Sequence, residues 1–284
     1  MKNYTYIDNV EKLIVFRKYL YEKEINKIAM DFEGEFNLHS YGERLCLIQI
    51  YDGESYFIID PIKIEDIEIV KTLSNGKIIK YMYGVESDIR LIYNQYGIRM
   101  KNIYDQKILV NVLNFENTGL DDVINTLFGI ENSHKTKYQK ANWQRRPLKE
   151  DAIMYALSDV KYLFKINDLL IKKIISENKV NDLIMRIIKS NFDFDKVSIP
   201  GIFKKKEFKK LSENNKIIFK EIYEVRDNYA KILNMPPHNI LENKILFNIV
   251  NKKASLDEIL FNKKIPNKIS LEIQNKLSEI KIPK

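Results

Sequence analysis

Asp31 and Glu33 flank one residue at the end of the apolar run KIAMD, which begins at Lys27. Read as a strand, this run places side chains two apart on one face, so both carboxylates point the same way. They lie at a strand's C-terminal end, where open α/β sheets hold ligands. Two carboxylates a few ångströms apart repel unless a proton or a cation lies between them. Near neutral pH a divalent cation is the natural partner, and all-oxygen donors suit Mg²⁺ or Mn²⁺. Asp88, in YGVESDIRLIY, opens a helix whose Ile89, Ile92 and Tyr93 face inward. Its charge also suits the helix dipole, and Glu86 competes for the same helix end. Tyr155 and Asp159 are four apart on a later helix, one above the other, with Met154, Ala156, Leu157 and Leu163 as packing. Taken singly, each group is commonplace: a strand-end acid pair, a dipole acid, a tyrosine–aspartate hydrogen bond.

What elements hold them? Val10, Leu13, Ile14 and Leu20 have helical spacing across residues 9–25. After KIAMD come two apolar strands, RLCLIQIY and SYFIID, joined at Asp52-Gly53-Glu54, a good hairpin signal. Residues 65–74 read as a helix, 77–81 as a strand and 85–96 as a helix stopped by Gly97. A short strand at 102–104 precedes helices at 106–113 and 119–128, the second stopped by Gly129. Residues 131–146 are polar, and one long helix is expected from Leu148 to about 176. Strands interleaved with helices after a hairpin predict an α/β domain on a mixed sheet. That domain is expected to span 1–190. Residues 191–210, with Pro200-Gly201, read as a linker, and 211–284 as an all-α unit broken at Pro236-Pro237 and Pro266.

The 284 residues carry 47 Lys+Arg against 39 Asp+Glu, a formal +8. Residues 1–200 hold 29 of each sign, and residues 201–284 hold 18 basic and 10 acidic. A neutral body with a basic tail is an electrostatic footprint for nucleic acid, or simple lysine-rich drift. Hydrophobic residues at 45% exclude wholesale disorder. A single cysteine, Cys46, excludes internal disulfides and cysteine-based zinc sites, and reads as core. His39, His134 and His238 are too scattered for a zinc site or a triad. No Walker pattern occurs. With no apolar run near the roughly 20 residues of a membrane helix and no secretory h-region, a cytoplasmic protein without a membrane partner is expected.

In combination the three groups are far more specific. A D-x-E strand, an aspartate at a helix start some 55 residues on, and Y-x-x-x-D on a late helix resemble the DEDD superfamily of 3′–5′ exonucleases. RLCLIQIYDGESYFIIDP after the first motif is similar to ribonuclease D-like enzymes. YGVESDI carries the second motif. NWQRRPLKEDAIMYALSDVKYL, preceded by GLDDVINTLFGI, carries the third, so the likeness runs over roughly residues 10–175. The sister branch has histidine five residues before the last aspartate, where Met154 stands, which places this chain with the tyrosine branch. One departure is Tyr83, five residues before Asp88, where the family usually has histidine. LSENNKIIFKEIYEVRDNYAKILNMPPHNILENKIL, followed by SLDEILF, resembles an HRDC domain, a helical module found at the C-terminus of ribonuclease D and RecQ-type helicases.

The resemblance implies a ribonuclease H-like mixed sheet flanked by helices, then a small all-α HRDC-like domain. It implies two Mg²⁺ or Mn²⁺ ions on Asp31, Glu33, Asp88 and Asp159, with Asp31 bridging both. Tyr155, whose ordinary pKa near 10 makes it a poor base, would orient the attacking water. The implied reaction releases nucleoside 5′-monophosphates from RNA 3′ ends, tRNA precursors among them, by a monomer. A repair exonuclease acting on single-stranded DNA is the alternative, and a decayed nucleic-acid-binding protein a more distant one. Phe36, His39 and Tyr41, just past the D-x-E strand, are candidates to wall the 3′ nucleotide. Arg145 and Arg146 are candidates for phosphate contact. Phe32 reads as core and Trp143 as loop packing. Lys204, Lys205, Lys206, Lys209 and Lys210 would either track upstream backbone or form a solvated linker.

Overall fold

Ile28, Ala29 and Met30 are buried in the middle of a sheet, and the strand they belong to is longer than its apolar run. In the computed structural model, which describes residues 3–131, 135–190, 192–194, 199–255 and 259–280, strand β2 spans Lys27–Phe36. The D-x-E pair therefore lies inside the strand and not at its end, because Glu35 is buried too and continues the pairing. Around it stand β1 (Thr5–Ile7), β3 (Glu43–Tyr51), β4 (Tyr56–Ile59), β5 (Ile79–Met82) and β6 (Ile103–Asp105). They form one six-stranded sheet in the order β1-β4-β3-β2-β5-β6. The sheet is mixed: β3 and β4 are antiparallel, with Ile48 opposite Ile59, while β1 runs parallel to β4, and β5 parallel to both β2 and β6. At the hairpin, Asp52 Oδ1 accepts the N–H groups of Glu54 (2.8 Å) and Ser55 (2.7 Å), an Asx turn closing β3 onto β4.

The helices of this first unit are α1 (Val10–Glu22), α2 (Asp66–Leu73), α3 (Glu86–Tyr96), α4 (Lys107–Val112), α5 (Leu120–Phe128), α6 (Lys135–Tyr138), α7 (Glu150–Lys161), α8 (Leu163–Ser176) and α9 (Val180–Lys189). Asn9 caps α1 by accepting the Lys12 N–H at 2.8 Å. Gly97 and Gly129 end α3 and α5 at φ +67 and +66, where a Cβ would be strained. The single long helix expected from residue 148 to 176 is two helices that meet at Tyr162, whose φ of −101 interrupts the ladder. Val160, Leu163, Ile166 and Leu170 still pack into one core, so apolar spacing runs through the break and conceals it. Cys46, Phe32 and Trp143 are all buried.

Contacts divide the chain into two units: residues 1–35 with 44–194, and residues 36–43 with the chain after 194. The first unit runs to 194 because its last residues return to α3. There Arg90 lies 5.0 Å over the Phe192 ring, Arg99 4.8 Å over Phe194, and Tyr93 5.0 Å from Phe194. The second unit is helical: α10 (Gly201–Lys204), α11 (Lys206–Lys209), α12 (Glu213–Ile232), α13 (Pro237–Ile240), α14 (Asn243–Val250) and α15 (Asn267–Ser278). Phe219, Ile222, Leu246, Ile273 and Leu277 form its core. Part of the stretch expected as a linker is folded here, since Ile202 of α10 and Phe208 of α11 are buried in that core. Among the described residues no helix is long and apolar enough to cross a membrane.

Candidate active site

Strand alternation sends Met30 and Phe32 into the core and leaves Asp31 and Glu33 together on the other face of β2. α7 brings Asp159 to the same place: one carboxylate oxygen from each of Asp31, Glu33 and Asp159 lies within 4.8 Å of the others. Asp88, in the first turn of α3, is near enough that its charge acts on Glu33 and the charge of Asp31 acts on it. The turn leading to α3 is held by Asp105, whose Oδ1 accepts the Gly84 N–H at 2.7 Å and the Lys107 N–H at 3.0 Å. Asp105 also adds to the negative field at Asp88.

Asp31, Glu33 and Asp88 resist ionisation in the bare protein. Burial pushes Asp31 up to about 7, against the opposing pull of the Phe32 N–H. Glu33 lies well above the usual carboxylate range, first through burial and then through the charges of Asp31, Asp159 and Asp88. Asp88 is raised in the same way by burial, Asp31 and Asp105. Clustered carboxylates that are costly to ionise form a site short of positive charge. The donors are all oxygen, and oxygens around one Mg²⁺ at its usual 2.0–2.1 Å are about 3–4 Å apart, comparable to this cluster. The residues fit a divalent cation.

Linkage gives this charge deficit a measurable sign. Between the ordinary carboxylate range and the raised values, the folded state holds more protons than the unfolded state, so stability falls as pH rises. In chelator, the thermal midpoint is expected to drop between about pH 5 and pH 8. Mn²⁺ or Mg²⁺ is expected to restore it at the upper end. A midpoint that stays flat or rises over that window would count against an uncompensated acidic cluster.

Tyr155 is raised by burial first and then by the charges of Asp159 and Glu33, so it remains a phenol. Its ring sits 5.1 Å from Tyr138 and 6.4 Å from Trp143, which fixes its direction. Tyr83, in the family's histidine position, donates to the Thr118 carbonyl at 2.8 Å. Glu86 is exposed and lies outside the cluster of Asp31, Glu33 and Asp159.

The other candidates are placed differently. Phe36, His39 and Tyr41 lie on the segment 36–43, which packs with the second unit. Phe36 and His39 are exposed there, while Tyr41 donates to Asp227 at 2.7 Å. Arg145 is exposed. Arg146 is a correction. Its five N–H groups are taken by Asp60 (2.6 and 2.7 Å), the carbonyls of Trp143 (2.6 Å) and Arg145 (3.0 Å), and that of Cys46 (2.8 Å). A guanidinium with every donor used holds the loop and has none left for a phosphate. His134 lies outside the described residues, and His39 and His238 belong to the second unit.

Sequence spacing missed Asp105, whose role is visible only once β6 lies beside β5. It also missed Glu35, two residues past Glu33 on the same strand face. Glu35 is buried and accepts from Gln144 Nε2 at 3.2 Å, which ties the 142–147 loop to β2.

A family profile described as 3′–5′ exonuclease matches residues 4–175. The exosome complex component 10 homolog of Caenorhabditis elegans is 27% identical over 254 residues, covering 86% of this chain and 28% of that protein. Ribonuclease D of Desulfotalea psychrophila is 25% identical over 290 residues, covering 98% of this chain and 75% of its own length. The chain thus spans less than a third of the exosome-component relatives it matches. The crystal structure of Escherichia coli RNase D, described as an exoribonuclease involved in structured RNA processing, aligns at a TM-score of 0.71 with 18% identity. That alignment covers 98% of this chain and 75% of that one, a likeness of fold that takes in the helical second unit.

Proposed function

That the chain belongs to the ribonuclease D/RRP6 family of DEDD 3′–5′ exonucleases is the premise from which we propose its activity: metal-dependent hydrolysis of RNA from the 3′ end, releasing nucleoside 5′-monophosphates. The observation that carries this reading is the meeting of Asp31, Glu33 and Asp159 within 4.8 Å, on a strand and a helix that are far apart in sequence. Asp31, Glu33, Asp88 and Asp159 would hold two Mg²⁺ or Mn²⁺ ions, which when bound supply a water ionisable near neutral pH and a charge to steady the leaving oxygen. The chain's own part is positional. Asp31, Glu33 and Asp88 resist ionisation until their charge is matched, and the Tyr155 phenol keeps its proton. Tyr155 therefore aims a hydrogen bond at the attacking oxygen and does not act as the base.

Tyr155→Phe keeps the ring packing and removes the donor. A bond to a charged partner contributes about 1.5–3 kcal/mol, so hydrolysis should slow by about 10–100-fold with the metal dependence unchanged. An undiminished rate would reduce Tyr155 to packing.

The substrate we propose is structured RNA such as tRNA precursors, in line with the E. coli relative's description. Single-stranded DNA is the competing substrate, because discrimination rests on a 2′-OH contact that the carboxylates do not make. The deciding experiment compares 5′-labelled RNA and DNA strands of matched sequence with Mg²⁺. Stepwise shortening of RNA in preference to DNA supports the reading, and equal or reversed rates overturn the RNA assignment. If an Asp31→Ala/Asp159→Ala protein degrades RNA at the wild-type rate, the site itself is misassigned.

A further inference from the structure

Lys204, Lys205, Lys206, Lys209 and Lys210 occupy five of seven consecutive positions along α10 and α11, and all five are exposed. Glu207 is the single acid among them. None of the five has an ion-pair partner among the described residues, whereas Lys12, Lys63, Lys71, Lys137, Lys173, Lys179, Lys216 and Lys276 each lie within 4.0 Å of a carboxylate. With Glu207 counted, these seven positions carry a net +4, half of the +8 of residues 201–284.

The strip is also held in place. Phe208 packs 5.3 Å from Phe219, and Phe203 lies 5.0 Å from Phe208 and 4.8 Å from Tyr223. The N–H groups of Lys209 and Lys210 bond back to the carbonyls of Lys205 and Lys206, each at 3.1 Å. A solvated spacer would let like charges move apart. Here the packed Phe203 and Phe208 fix the backbone that carries them, so the fold bears the repulsion of five lysines in seven residues.

A polyanion relieves that repulsion, and the absence of exposed large apolar residues between 204 and 210 narrows its kind. Membrane-surface segments insert apolar side chains beside their lysines, and protein partners are gripped by aromatic or apolar anchors. A bare cationic strip suits a ligand whose contacts are nearly all charge, which is a phosphodiester backbone. We propose that this lysine strip is a sequence-independent binding site for RNA upstream of the 3′ end. The assignment of RNA, and not another polyphosphate, rests on the proposed exoribonuclease activity.

The test uses the full chain with all five lysines changed to Gln, and a second variant with all five changed to Arg. Affinity for a single-stranded RNA of about 20 nucleotides is measured against salt in chelator, where hydrolysis is stopped. Each lost phosphate contact should flatten the log–log slope by about 0.7, so the Gln variant should lose up to about 3.5 and the Arg variant nothing. With Mg²⁺, cleavage of a dinucleotide should be unchanged by the Gln substitutions. An unchanged slope overturns the proposal, as does equal weakening on dinucleotide and long RNA. Binding to phosphatidylserine vesicles that is lost while the RNA slope persists overturns it too. Should the wild type fail to degrade RNA while the slope still falls, the activity fails and the binding strip stands.

Discussion

Asp31→Asn is expected to abolish hydrolysis and, in chelator, to raise the thermal midpoint of the protein. Both effects have one origin. Asp31 shares the face of β2 with Glu33, and an oxygen of each lies within 4.8 Å of the other and of Asp159. Its charge is among the causes that lift both Glu33 and Asp88. An amide of the same shape keeps the packing and removes a negative charge from a crowded, partly buried site, so the bare fold is relieved of repulsion. Each kcal/mol relieved moves the midpoint by about 2–4 °C for a chain of this size class. The same loss weakens the site's hold on a divalent cation and removes a ligand from the reacting centre. We expect a fall of at least about a thousand-fold in rate, equivalent to about 4 kcal/mol. Opposite signs on activity and stability mark a functional group whose strain is offset only by its ligand. A core substitution such as Met30→Ala, by contrast, should lower the midpoint by the usual cost of a cavity. Mn²⁺ should stabilise the wild type and leave Asp31→Asn almost unmoved. If Asp31→Asn retains both activity and the metal-dependent shift, the carboxylates are structural.

Local rules made much of this centre legible. The period of two on β2 and the four-residue spacing of Tyr155 and Asp159 were enough to pair side chains on one face. The Asp52-Gly53 turn announced the hairpin that pairs β3 with β4. Where sequence reasoning stopped, the controlling contact was distant or the signal was continuous. β2 runs past Glu33 because Glu35 is buried against a loop more than a hundred residues away, and no pattern in Gly34-Glu35-Phe36 announces that. The break at Tyr162 is silent because Val160, Leu163 and Ile166 feed one core from both helices. Tyr41 follows the catalytic strand, yet its hydroxyl is engaged by Asp227, a partner that only the folded second unit supplies. The lysines near 205 read as a spacer because Ile202 and Phe208 are too few to show periodicity by themselves.

Arg146 turns that lesson into the second large prediction. Next to Trp143 and Arg145 in a polar loop, it had the look of a phosphate ligand. Its folded surroundings make it a fastener: Asp60 has no exposed side-chain surface, and Arg146 exposes 15% of its own. The pair joins the end of β4 to the loop carrying Trp143, which packs beside Tyr155. Removing one member strands the other as a buried, unmatched charge, a loss that costs about 3–5 kcal/mol. Arg146→Ala and Asp60→Asn should each unfold the first unit at markedly lower temperature or denaturant. Arg146→Met with Asp60→Leu should recover a good part of the loss, since neither charge is then left alone. Hydrolysis below the melting range should fall through misplacement of Tyr155, while the salt slope of RNA binding stays where it was. A phosphate-binding arginine behaves the other way: the slope drops by about 0.7, the midpoint hardly moves, and the double substitution rescues nothing. The two roles are separated by which of the two measurements responds, and the five filled hydrogen bonds of the guanidinium assign Arg146 to the first.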